Sequence, residues 1–157
     1  MRKIPQSGPA IPPLPELQRS PIEPLAQREA KIAFDSQQAH IAMGMTAVTR
    51  NNPDYFPLLV GNYVLGGGGF VSRLMSEVRE KRGLAYTVYS FLNSFADTGY
   101  FGIYTGSTPK KMGQAVEVIE TTLKDLVNHG ISDAEIQRGK GQLRGGLVLG
   151  QEDTTSR

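Results

Sequence analysis

The 157-residue chain contains no cysteine, so disulfides, thiolate zinc sites and iron–sulfur clusters are excluded, while the redox compartment stays undecided. Histidine is almost as scarce. Only His40 and His129 are present, far apart, and neither has a glutamate or a second histidine at helical ligand spacing. Neither H-E-x-x-H nor its inverse can be read, and no metal site is expected in this chain. No serine lies in a nucleophile-elbow context, so no self-contained catalytic centre emerges. No apolar run approaches the ~20 residues needed to cross a bilayer, so no membrane span is expected. No signal-peptide core follows Arg2 and Lys3, and the bacterial periplasm and the cytoplasm both stay open as locations. Charge of one sign is missing too. Seventeen Lys and Arg against fifteen Asp and Glu give a formal +2, far from the dense basic surface of a dedicated nucleic-acid binder.

What is present divides into an arm and a domain. Seven of the ten prolines fall in the first 24 residues, where apolar residues follow neither a helical nor a strand period. Residues 1–29 therefore read as a Pro-rich linker or extended arm, and residues 30–157 as one domain. Lys31–Phe34 and Gln38–Ala47 read as extended pieces. In the second, Ala39, Ile41, Met43 and Met45 alternate with His40, Ala42 and Gly44, the period of a half-buried strand. Asn52-Pro53 predicts a helix start, with Phe56, Leu59, Val60, Tyr63 and Val64 on one stripe and a stop at Gly66. A second helix carries Val71, Leu74, Met75 and Val78 and ends at Gly83.

Leu84–Leu92 and Gly99–Thr105 read as a hairpin. Thr108-Pro109 then caps a long helix, whose face of Met112, Ala115, Val116, Ile119, Leu123, Leu126 and Val127 closes at Gly130. Ser132-Asp133-Ala134-Glu135 has the capping-box pattern and predicts a last helix to about Leu149. Glu152–Ser156 looks like the cap of yet another helix, so the chain reads as a fragment. The order of elements predicts an α+β fold, a mainly antiparallel sheet with helices packed on one face.

Two segments hold chemistry. Gly66, Gly67, Gly68 and Gly69 precede a helix and could present backbone N–H groups to a phosphate, but the lysine and Ser/Thr of a P-loop are absent. A hinge between helices, or a bare backbone that a bound peptide can approach, are the other readings. Arg79 ends a helix and Tyr86 opens a strand. A tight Gly83 connection could aim both polar tips one way, with the guanidinium donating to carbonyls and the phenol to an oxyanion. Alternatively, Arg79 merely offsets the helix C-terminus and Tyr86 fills a core edge.

The run LGGGGFVSRLMSEVREKRGLAYTVYS, with DTGYFGIYTG and EIQRGKGQLRGGLVLGQEDTTSR, resembles the second-half domain of the pitrilysin/insulinase family of zinc metallopeptidases, particularly the branch close to mitochondrial processing peptidase. The resemblance covers about Ile32 to Arg157. It implies a metallopeptidase-like half domain, cut before the family's last helices and strand. Such halves pair with a homologous half that carries the inverted H-x-x-E-H motif, zinc and the general base. The resemblance gives this chain no cofactor and assigns Zn to the partner half, on the same polypeptide or a separate subunit. It assigns Arg79 and Tyr86, seven residues apart, to contact with a peptide substrate and help at the scissile carbonyl. Gly67, Gly68 and Gly69 become substrate-binding candidates beside them. The implied function is the substrate-binding half of a zinc-dependent metalloendopeptidase, inactive alone. A catalytically inactive structural or peptide-binding homologue is the alternative.

Overall fold

The computed structural model describes residues 28–152. The arm therefore lies outside the described residues apart from Arg28 and Glu29, as does the expected cap beyond Glu152. The chain divides into two units, Met1–Phe34 and Asp35–Arg157. In the first, Lys31–Phe34 forms no strand, and Ile32 and Phe34 are exposed.

The second unit holds a three-stranded antiparallel sheet of β1 (Ala39–Thr46), β2 (Thr87–Ser94) and β3 (Gly99–Ser107), in the order β1-β3-β2. Alternation places Val88 and Ser90 of β2 and Ile103, Thr105 and Ser107 of β3 on the buried face. On the other face Tyr89 stacks obliquely on Tyr104, and Phe91 meets Tyr100 edge-on. The inner face packs against α1 (Tyr55–Asn62), a helical segment ending in Met75–Glu80, and α2 (Pro109–His129). Their shared core includes Leu65, Leu74, Val78, Leu84, Val88, Ile103, Ala115 and Ile119. The last helix, α3 (Asp133–Glu152), follows a capping box in which the Ser132 N–H donates to Glu135 Oε2 at 2.9 Å.

Several expectations are corrected. The first helix begins at Tyr55, because Asn52 Oδ1 accepts from the Asp54 N–H at 2.8 Å and forms a turn instead of a cap. Gly66 does not end it. The helix runs on as a π-helical turn, Tyr63–Gly67, with Gly66 buried inside. A Cβ on Gly66 would lie 2.4 Å from the Ser90 main-chain nitrogen, so glycine is what lets this turn seat against β2. Thr108 stands at the N-cap of α2 without a side-chain bond. Met45, Phe56, Val71 and Val127, expected on buried faces, are exposed. Each lies at the end of its element, where the periodicity continues but the opposing layer does not.

The Gly66 seat yields a stability prediction. Gly66→Ala should cost about 3 kcal/mol, because the obstacle is backbone that cannot rotate away. Gly113→Ala, in open space on α2, should instead stabilise by about 0.5–1 kcal/mol. Urea unfolding of both variants measures the contrast.

Candidate functional site

The segment from Gly67 to Tyr86 forms one continuous structural unit. Gly69, at φ +61°, turns the chain out of the π-helical turn into a single 3₁₀ turn, Gly69–Val71. That turn leaves Phe70 71% exposed. The Ser72 hydroxyl donates to the Gly69 carbonyl at 2.7 Å and locks the turn against the next helix. This helix finishes as π-helical Met75–Glu80. Arg79 there is exposed; its guanidinium carbon lies 5.7 Å from the Phe70 ring centroid, and Nη1 is 3.8 Å from Met75 Sδ.

Gly83 reverses the chain at φ +58°, a conformation that favours glycine. Its N–H donates to the Arg79 carbonyl at 2.8 Å, and the Leu84 N–H reaches the Val78 carbonyl at 2.9 Å. Lys111 Nζ of α2 donates to the Gly83 carbonyl at 3.0 Å, and the Ser107 hydroxyl donates to the Leu84 carbonyl. Tyr86 then joins the sheet edge through its N–H to the Gly106 carbonyl at 2.9 Å, with its side chain 57% exposed. The turn is thus pinned from both sides while Arg79 and Tyr86 point into solvent. The two side chains are not bonded to each other. Gly67 and Gly69 are exposed and Gly68 is half-buried. A Cβ at Gly68 would meet the Tyr63 carbonyl at 2.6 Å, which supports a packing role there.

The cations of this segment differ in what holds them. Arg73 forms a fork on Glu135, with both nitrogens at 2.8 Å, donates to the Gly130 carbonyl at 3.0 Å, and lies 3.6 Å from Asp125. The Arg73 hydrogen bond holds the Glu135 carboxyl down to a pKa of about 2. Lys81 and Arg82 both reach Glu77, whose carboxyl is lowered chiefly by its bond to Lys81. Among the described residues, Arg79 meets no carboxylate. Sequence reasoning missed Phe70, the ring beside Arg79, and the tie from Arg73 to Glu135.

The histidines give no metal centre. His40 Nδ1 is 2.8 Å from the Tyr104 hydroxyl, and His129 Nδ1 is 2.8 Å from Asp125. Among the described residues no three potential ligands cluster, so the residues present do not fit zinc. The 157-residue chain, dialysed against zinc and washed, should retain far less than one metal per chain. One tightly held zinc would overturn that expectation.

The structure is thus an antiparallel sheet backed by helices, with Arg79 and Tyr86 exposed on either side of a pinned turn. Residues 1–143 match the family described as Peptidase M16 inactive domain, and the chain belongs to that family. It is 44% identical over 129 residues to an uncharacterized zinc protease of Streptomyces coelicolor, an alignment covering 82% of this chain and 28% of that protein. It is 33% identical over 138 residues to the mitochondrial-processing peptidase subunit beta of Lentinula edodes, covering 82% and 29%. A crystal structure of a peptidase M16 inactive domain from Pseudomonas fluorescens superposes with a TM-score of 0.69 at 34% identity, covering 75% of this chain and 30% of that one. The chain thus spans less than a third of the length of these relatives.

Proposed function

We propose that this domain is the substrate-binding half of a zinc-dependent metalloendopeptidase that cleaves extended peptides. Its partner is a homologous zinc-bearing half, in the same polypeptide or as a separate subunit. The observation that carries this reading is Arg79, a guanidinium parked over an exposed ring and free of carboxylates among the described residues, while Arg73, Lys81 and Arg82 are engaged. In this reading the metal and the water-activating base belong to the other half. Arg79 donates to backbone carbonyls of the bound peptide, and Tyr86 donates its hydroxyl proton toward the oxyanion at the scissile carbon. Gly69, where an added Cβ would meet nothing, leaves room for the peptide main chain to approach, while the Cβ direction of Gly67, like that of Gly68, is taken up by packing, against Asn62. A π-helical turn directly under Arg79 fits a site in which helical regularity gives way to placement of one side chain.

The test uses a chimera in which this chain replaces the matching segment of the Streptomyces coelicolor relative. The chimera should hydrolyse an unstructured fluorogenic peptide. Arg79→Ala should raise KM about tenfold by removing a hydrogen bond to a charged donor. Arg79→Lys should recover little, because a point charge lacks the planar fork. Unchanged KM in both variants would overturn the role.

A further inference from the structure

We infer that Phe70 is a positioning residue for Arg79, whose ring holds the guanidinium in one direction before a peptide arrives and leaves its N–H donors open. The inference deepens the reading of Arg79 as a peptide contact and rests on it.

Both members of the pair start from fixed backbone. Gly69, at φ +61°, begins the 3₁₀ turn that carries Phe70, and the Ser72 N–H and hydroxyl both donate to the Gly69 carbonyl, at 3.1 and 2.7 Å. Ser72 is itself buried, and its Oγ also accepts from the Met75 N–H at 3.4 Å. Leu74 and Val78, both fully buried, seat the helical segment that carries Arg79. The stretch between ring and cation is therefore one locked turn and one anchored helix. From these two ends the side chains meet, with the guanidinium carbon over the Phe70 ring at 5.7 Å and Nη1 3.8 Å from the sulfur of buried Met75.

The kind of contact decides what Arg79 can still do. A carboxylate holds a guanidinium by accepting from its in-plane N–H groups, as Glu135 does from two nitrogens of Arg73 at 2.8 Å. Those donors are then spent. A ring attracts the cation through its π face, and a thioether sulfur is only a weak acceptor, so Phe70 and Met75 orient Arg79 without taking the strong donor sites that peptide carbonyls need. Glu77, in the same π-helical turn, is occupied by Lys81 and Arg82. Ordering a long side chain in advance removes part of the entropy cost of binding. The ring supplies that order.

The test is kinetic and uses the chimera. Phe70→Leu keeps an apolar side chain and removes the π face; KM should rise about two- to fivefold at unchanged kcat and unfolding midpoint, the change expected for losing an exposed cation–π pair. Phe70→Trp, the stronger π partner, should hold KM at or below wild type. In the Arg79→Ala background Phe70→Leu should add nothing, because a positioning residue has no effect without the group it positions. A wild-type KM for Phe70→Leu, with Arg79→Ala still raising KM, overturns the positioning role and leaves the peptide contact standing. A Trp variant as impaired as the Leu variant overturns it too. So do additive effects of Phe70→Leu and Arg79→Ala, since Phe70 would then touch the peptide itself. If Arg79→Ala leaves KM unchanged, the peptide contact fails and the positioning role falls with it.

Discussion

Tyr86→Phe in the chimeric enzyme should lower turnover about 100-fold while leaving KM and the unfolding midpoint close to wild type. The size follows from deleting one preorganised donor to a developing oxyanion. The lack of a folding penalty follows from the exposed side chain, which is fixed to the sheet by its main-chain N–H and not by its hydroxyl. Arg79→Ala acts on ground-state binding, so the double variant should show both signatures, a raised KM and a lowered kcat. Steady-state kinetics on one peptide separates the two. If Tyr86→Phe keeps wild-type turnover, Tyr86 is not an oxyanion donor, even if Arg79 still binds peptide.

Arg73→Ala should cost about 2–3 kcal/mol of stability, by stripping the charge-assisted fork from Glu135 and a donor from the Gly130 carbonyl. The pair is mostly shielded from water, with side chains 22% and 17% exposed, so it exceeds the worth of a surface bridge. Its pH signature has a definite sign. The Glu135 carboxyl is depressed from 4.5 to about 2 by folding, chiefly through Arg73. Its contribution is therefore complete above about pH 4.5 and fades as pH falls toward 2. Thermal melts across this acid range should show Glu135→Gln losing less stability than wild type. Parallel curves would mean that the fork adds nothing to folding.

The fold was largely legible because its period signals are local. The alternation of β1, the Ser132–Glu135 capping box and the long apolar face of α2 are each written within one element, and each is found where expected. Gly66 was misread because a glycine after an apolar helix signals a stop. What it accommodates is the backbone of Ser90, a neighbour that no local pattern announces. The site shows the same division. Arg79, Gly83 and Tyr86 share one short run, so their connection could be read directly. The grip of Arg73 on Glu135 spans 62 positions, and helical spacing carries no information across that gap. Phe70 escaped notice because the turn at Gly69–Val71 breaks the period before Arg79 is reached.

The π-helical turns on either side of the glycine run have a consequence for how this region tolerates length changes. Each turn holds one residue more than an α-helix needs to span the same rise. Deleting a single residue within Met75–Glu80 would let the backbone relax into ordinary α-helical bonding, a locally favourable repair. The same deletion would leave the residues beyond the bulge in place, and would change the direction in which side chains inside it, Arg79 among them, leave the helix axis, turning the guanidinium away from Phe70. The surplus residue thus acts as a phase setting, and shortening that improves the helix would misdirect the side chain the helix carries.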